Sequence, residues 1–437
     1  MTWHVITRVG ADDSFVPEIP AQEPRLEASF ERSDDPWQVG NDVLDRIHKA
    51  TNARPPEIAI DLLYLAMAVY AADLRIPRRF ASDRWSREIA LHVPIGNLAV
   101  WTAAIPQIVK TLNYLTGDRW QIHIRERTTP YPGEAATADI KCDSLCLFSG
   151  GLDSLAGAID LLAQGQRVAL IGHHGAGMTN AVQEHVLQEL DKKYKDKFER
   201  FMFYAQPPKR KLKDGEPTMR SRSFLFLALG VATAPVSGGS APLTIAENGL
   251  ISLNVPLTPS RVGSSSTRTT HPYFVDLYRG VLKKLAITVP LVLPYRFKTK
   301  GEMLAEVRDM DTLRKTAPLT MSCSHSEAGR YQGFTPGNHC GYCVPCIIRR
   351  AAMQHAKVSD ATYNINVRTD PPDYRSDSGR DFRAFEMAIE RAKGTGMKDA
   401  LASVLSTGPL PPEEVTEYAK VYRRGIDEVS RFLKGKP

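Results

Sequence analysis

Two places in this 437-residue sequence combine residue types at spacings that could do chemistry: Ser149-Gly150-Gly151-Leu152-Asp153-Ser154, and the cysteines Cys323, Cys340, Cys343 and Cys346. In the hexapeptide, two glycines let the backbone turn sharply and present its N–H groups outward. A helix starting there adds free N–H donors and a partial positive charge. Together they form a cradle for an oxyanion such as pyrophosphate. Ser149 and Ser154 can add hydroxyl donors, and Asp153 can hold Mg²⁺ against the phosphates. No Gly-x-x-x-x-Gly-Lys-Ser/Thr run exists, so this is not a Walker-type loop. A lone Gly-Gly would read as a plain turn between strand and helix; the whole hexapeptide in that context reads as a phosphate loop.

Sixteen residues separate Cys323 from Cys340-Gly-Tyr-Cys343-Val-Pro-Cys346. Three thiols on a tight knuckle, closed by a fourth, suit tetrahedral Zn²⁺ with no open position, hence a structural role. An iron–sulfur cluster is the rival for four thiolates. Cys142 and Cys146 flank a short apolar strand and read as small buried hydrophobes. His173 and His174 are adjacent on a strand, so they point to opposite sides and do not ligate jointly. One of them near the adenine of a nucleotide is the functional reading, and His173 is the candidate.

These residues need a scaffold, and hydrophobic periodicity supplies one. From Ser144 onward the pattern is β-loop-α repeated, which predicts a parallel sheet with helices on both faces. Strands are expected at Ser144 to Phe148, Arg167 to Ile171, Phe201 to Tyr204 and Leu243 to Ala246, with helices between them. The fourth strand ends at Glu247-Asn248-Gly249, which places Glu247 and Asn248 as candidate substrate-binding residues. Ahead of it, Ile58, Leu62, Leu65, Ala66 and Val69 recur at helical spacing after Pro55-Pro56. The first ~40 residues, rich in Pro, Glu and Asp, read as strands or a loose arm. A Pro- and Gly-bearing stretch from Thr128 to Thr137 reads as a linker. Three units are expected: an α+β accessory domain over 1–140, the phosphate-loop domain with its zinc site over 141–357, and a helical extension over 358–437.

The formal net charge of +7 is a mild bias towards anionic ligands and leaves nucleic acid possible without requiring it. The longest apolar stretch, Ile58 to Leu74, carries Asp61 and Asp73, so no membrane span is expected. The start of the sequence does not read as a signal peptide, and a cytoplasmic location is expected.

The hexapeptide matches the Ser-Gly-Gly-x-Asp-Ser signature of PP-loop ATP pyrophosphatases. Met321-Ser-Cys323, then His339-Cys340-Gly-Tyr-Cys343-Val-Pro-Cys346-Ile-Ile-Arg349-Arg350, resembles the zinc motif of the QueC (7-cyano-7-deazaguanine synthase) family. Lys298-Thr-Lys300-Gly-Glu302-Met303 resembles that family's Thr-Lys-x-Glu segment. The resemblance covers residues 143 to 357, about half of the chain. It implies a five-stranded parallel α/β sheet of the adenine-nucleotide hydrolase type. It also implies an ATP-dependent carbon–nitrogen ligase that adenylates 7-carboxy-7-deazaguanine and releases pyrophosphate. Asp153, Lys300 and Arg268 would then be catalytic, and Ser149 to Ser154 with His173 would hold ATP. Glu247, Asn248, Arg268 and His271 would hold the substrate.

The family's deazaguanine-binding run is replaced here by Ser265-Ser-Thr-Arg268-Thr-Thr-His271-Pro-Tyr273-Phe274, where Tyr273 and Phe274 could stack on a flat heterocycle. Long QueC-like proteins of this layout are similar to components of the Qat and CBASS antiphage systems. That similarity implies transfer of the acyl group to an amine of a partner protein from the same operon. The basic run Lys209, Arg210, Lys211 and Lys213, with Arg220 and Arg222 beyond, reads as a lid, a docking patch or a solvated face. A PP-loop tRNA-modifying enzyme and a nucleotide-binding scaffold subunit remain the alternatives.

Overall fold

The computed structural model describes residues 1–435 apart from 33–34, 132–139, 176, 209–214, 217–218, 238, 240, 259–267, 326–334, 336 and 395. The expected basic run from Lys209 to Lys213 and the Ser265–Thr267 segment lie outside the described residues. So does most of the expected linker between Thr128 and Thr137.

The chain opens with β1 (Thr2–Val9), β2 (Arg25–Phe30) and β3 (Gly40–Asn41), then α1 (Val43–Thr51) and α2 (Glu57–Arg75). β4 (Glu88–Ile95), α3 (Leu98–Thr116) and β5 (Arg119–Glu126) complete the first part. The second part runs β6 (Ser144–Leu147), α4 (Leu152–Ala163), β7 (Val168–His174), α5 (Thr179–Tyr194), β8 (Phe198–Gln206) and α6 (Arg222–Thr233). β9 (Leu243–Thr244), α7 (Gly249–Leu253), α8 (Pro272–Lys284), β10 (Leu291–Val292), α9 (Lys300–Ala305) and α10 (Met310–Thr316) follow. The chain then continues through α11 (Val344–Ala356), α12 (Gly379–Gly394), α13 (Met397–Leu405) and α14 (Val415–Lys434).

The fold is α/β, but it is not built on a single five-stranded sheet. A four-stranded sheet in the order β2-β1-β4-β5 is parallel throughout. A six-stranded sheet has the order β10-β9-β6-β7-β8-β3. Five of its strands run parallel, and β3, from the N-terminal part, adds an antiparallel edge to β8. Thus the Pro- and acid-rich first 40 residues hold strands rather than an arm. Burial on both faces explains why β6 and β7 read as apolar runs. Leu145, Ala169, Ile171, Phe201 and Phe203 face a core shared with the N-terminal part, while Cys146, Val168, Leu170 and Met202 face α4 and α5.

One apolar core runs from Val5 to Leu293, with α2 packed on α6 and α3 on α8. A separate core joins α12, α13 and α14 to the cysteine knuckle. Among the described residues, no helix is long and apolar enough to cross a membrane. The long apolar helix α2 is instead buried almost along its whole length, and its two buried carboxylates have internal partners. Asp61 accepts from Tyr131, and Asp73 pairs with Arg87 at 2.6 Å.

Candidate functional site

β6 ends at Leu147, and the Ser149–Ser154 loop carries the chain into α4. Gly150 sits at φ +80°, a conformation that favours glycine. Gly151 is the residue before the first turn of α4 and offers no side-chain cap. Three backbone donors of the turn and the helix start are met by hydroxyls. Ser149 N donates to Ser154 Oγ at 3.2 Å, Gly151 N to Ser149 Oγ at 3.3 Å, and Leu152 N to Ser322 Oγ at 3.5 Å. Bonds of that length to neutral acceptors are weak, and an oxyanion would replace them with charge-assisted ones.

The loop forms one wall of a cavity of about 600 Å³. Asp153 and Lys300 line it and pair at 2.7 Å, both almost fully buried. Lys300 reaches this place because it is the first residue of α9. Thr299 and Glu302 close a reciprocal capping box there, and Glu428 of α14 accepts from Thr299 Oγ1 at 2.8 Å and Gly301 N at 3.1 Å. The C-terminal helix therefore positions the lysine, a contact that no local sequence pattern announces. Asp153 also accepts from Asn248 Nδ2 at 2.6 Å. Burial raises the Asp153 pKa, but the Lys300 charge and the hydrogen bonds around it outweigh that and hold it below the usual carboxylate range. Glu247, also in the cavity wall, is pushed well above its ordinary value by burial and by the neighbouring Asp153 carboxylate.

Asp153 and Glu247 put two carboxyl groups side by side in the cavity wall, hard oxygen donors of the kind Mg²⁺ takes.

Not every expected residue reaches the cavity. Arg268 donates to Tyr114 O at 2.6 Å and lies 4.3 Å from the centre of the Tyr114 ring. His271 caps α8 by accepting from Tyr273 N, contacts Tyr114 Oη at 2.9 Å and Thr407 Oγ1 at 2.8 Å, and is buried. These two side chains tie α3, α8 and the end of α13 together. From that loop it is Thr269 and Thr270 that line the cavity. Tyr273 meets Tyr114 edge-on and Phe274 is fully buried in the main core, so neither is placed to stack on a ligand.

His173 is also buried, behind the cavity wall. It contacts Ala205 O at 2.9 Å, accepts from Arg222 Nε at 3.3 Å, and burial with the adjacent Arg222 charge lowers its pKa to about 3.

Conversely, Ser322, Arg220 and Arg222 line the cavity. The two arginines were visible in the sequence only as part of a basic run, and Ser322 only as the neighbour of a cysteine. Arg220 is held in a buried charged network. Next to it, Asp73 accepts from Ser221 N at 2.8 Å and pairs with Arg87, which also pairs with Asp118 at 2.6 Å. Through this network the N-terminal part braces the far wall of the cavity.

The four expected cysteines come together with every sulfur within 4.8 Å of the others. Cys323 and Cys343 are 4.0 Å apart and Cys340 and Cys346 3.8 Å. A Zn–S bond of about 2.3 Å implies tetrahedral edges of about 3.8 Å, whereas a disulfide needs about 2.05 Å. The set fits a tetrahedral metal. Gly341, at φ +90°, makes the knuckle turn, and a Cβ there would meet Ile365 O at 2.0 Å. Backbone N–H groups of His325 and Cys340 donate to Cys323 Sγ.

The knuckle is linked to the phosphate loop. Arg349, fully buried on α11, donates to Thr320 Oγ1 at 2.7 Å and to Ala317 O at 2.8 Å. The segment so held runs straight on to Met321, whose N–H donates to Gly150 O at 3.1 Å, and to Ser322 on Leu152 N.

No family model matches the chain, and no curated protein matches it. The geometry of the cavity, the phosphate loop and the four-cysteine cluster therefore carries the functional reading by itself.

Proposed function

We propose that this protein is an ATP pyrophosphatase of the PP-loop type, QueC-like. In this reading it adenylates a carboxylate, 7-carboxy-7-deazaguanine, releases pyrophosphate, and passes the acyl group to an amine of a partner protein in an antiphage system. The observation that carries the reading is the Ser149–Ser154 loop in the wall of the cavity, with the buried Lys300–Asp153 pair facing the same space.

The β,γ-phosphates of ATP would accept from the Gly151 and Leu152 N–H groups and the Ser149 and Ser154 hydroxyls. Mg²⁺ on Asp153 and Glu247 would neutralise phosphate charge and hold its oxygens in place. Lys300, a fixed positive group in an enclosed site, would stabilise charge on the departing pyrophosphate. The substrate carboxylate attacks the α-phosphorus as it stands, so no general base is required. An amine then attacks the acyl carbon and AMP leaves with the acyl C–O electron pair. A thiolation reaction, as in some tRNA-modifying enzymes, needs a reactive cysteine outside the metal cluster or a separate sulfur carrier. Burial raises Cys142 to about 11 and Cys146 to about 12, which disfavours either as the nucleophile.

The test is pyrophosphate release from ATP with and without 7-carboxy-7-deazaguanine, with intact-mass analysis of the partner protein. Release that depends on the acid, and a mass gain on the partner, support the proposal. ATP cleavage that ignores the acid removes the deazaguanine assignment. Absence of cleavage with substrate and partner present leaves a nucleotide-binding scaffold.

A further inference from the structure

The cavity has a second electropositive place, across from the phosphate loop. Arg222 opens α6 and lines the cavity. Its Nη2 donates to His173 O at 3.1 Å and its Nε to His173 Nδ1 at 3.3 Å, and its guanidinium carbon lies 5.3 Å from the centre of the Phe226 ring. With Nε2 placed to donate to Ala205 O, a neutral His173 can present Nδ1 only as an acceptor. The imidazole thus orients the guanidinium without neutralising it. Nη1 has no hydrogen bond to any described residue.

Charge pairing separates Arg222, half-buried in the cavity wall, from three arginines of the interior. Arg78 and Arg87 pair with Asp118 at 2.8 and 2.6 Å, and Arg349 with Asp360 at 2.8 Å. Among the described residues Arg222 has no carboxylate partner; Tyr70 is the one ionisable group acting to stabilise its charge, and burial acts against it. A cation drawn partly out of water without an anion carries a desolvation cost, which an anionic ligand would offset. The surroundings describe that ligand further. Ser223, Thr269 and Thr270 offer hydroxyls, while Phe226, Leu227 and Val275 offer apolar wall.

We infer that Arg222 is the anchor for a second oxyanion in this cavity, carried on a flat apolar body and distinct from the pyrophosphate at Ser149–Ser154. The inference rests on reading that loop as the pyrophosphate seat. The oxyanion is the carboxylate of the acid to be activated or the α-phosphate of the nucleotide. Either way Arg222 takes the recognition role that Arg268 and His271, committed to Tyr114 and Thr407, do not fill.

The experiment is calorimetric titration of the full-length, metal-loaded protein with pyrophosphate, AMP and 7-carboxy-7-deazaguanine, for wild type, Arg222→Gln and Arg222→Lys. Pyrophosphate affinity is expected to stay within about twofold in both variants, which also reports that the cavity is folded. Binding of AMP, of the acid, or of both is expected to weaken about 10- to 150-fold in Arg222→Gln, the range for losing a hydrogen bond to a charged group. Arg222→Lys is expected to recover part of it. Loss for AMP alone assigns the phosphate, and loss for the acid alone the carboxylate. The inference is overturned if Arg222→Gln binds both within threefold of wild type, or if wild type binds neither. Failure of wild type to bind pyrophosphate defeats the phosphate-loop reading separately, since the Arg222 effect on AMP or the acid is still measured.

Discussion

Two of the parallel strand–turn–helix junctions with a glycine in the turn, those after β4 and β6, have opposite fates. After β4, Gly96 and Asn97 lead into α3; after β6, Ser149 to Gly151 lead into α4. At the first junction the protein supplies its own anion. Gly96 N donates to Asp61 Oδ2 at 3.0 Å, Tyr131 Oη donates to Asp61 Oδ1 at 2.8 Å, and the Asn97 side chain accepts from Val100 N. Arg127 pairs with Glu57 at 3.1 Å and lies 3.7 Å from Asp61. Burial still raises the Asp61 pKa against those donors. At the second junction neutral hydroxyls stand in for an anion, and the space beyond is a cavity. Both helix starts present orphan donors, because every helix does. What sets the second apart as a candidate site is that no ionised group among the described residues accepts from its donors.

Substitutions at the two junctions should therefore differ in whether ATP binding and turnover are lost. Asp153→Ala has the largest expected effect. It should lower pyrophosphate release from ATP by about 10²- to 10³-fold and, by leaving Lys300 buried and unpaired, cost about 3–5 kcal/mol. Near-normal release would break the comparison, because the open junction would then not be catalytic. Next is removal of the metal: Cys343→Ser should lose one bound ion per chain by elemental analysis and lower the Tm, since binding energy at such a site is folding energy. A variant with unchanged metal content would show that the four thiols are not its ligands.

Gly150→Ala should weaken ATP binding, because a side chain at φ +80° costs about 1–2 kcal/mol and its Cβ would lie 3.1 Å from Gln183 Cγ. Asp61→Asn, at the sealed junction, should instead cost about 1–3 kcal/mol in denaturant unfolding while leaving the ATP affinity unchanged. A loss of ATP affinity there would mean that the two junctions communicate. The smallest effect concerns pH. His173 and His271 are each lowered to about 3, by burial first and by a neighbouring arginine second. The unfolded chain therefore takes up protons below about 6.5 that the folded chain refuses until about 3. Their stabilisation is full above about pH 6.5 and is lost as pH falls towards 3. His271→Gln should flatten that acid decline in a series of unfolding curves; an unchanged slope would contradict the burial-driven shift.

Legibility followed the range of the interactions. The strands β6, β7 and β8 and the helices α4 and α6 were readable within a few residues of their ends, since apolar runs and Gly-rich turns are local signals. The cysteine cluster was readable because ligand spacing is local too, apart from Cys323. β1 and β2 were not, because their Pro- and acid-rich connections obscure the period of the strands.

The sequence by itself determined the Gly-rich turn from strand to helix at Ser149–Ser154, the thiols at ligand spacing and the apolar runs of β6 and β7, because each depends on residues near one another in the chain. Tertiary structure alone decided which charges are free to meet a ligand. Arg268 and Arg222 look equally basic along the chain, yet one is committed to Tyr114 and the other lines the cavity without a carboxylate. Lys300 looks like any helix lysine until Asp153, 147 positions earlier, and Glu428, 128 positions later, close around the start of α9. Burial and pairing are set by groups distant in sequence, and no local pattern encodes them.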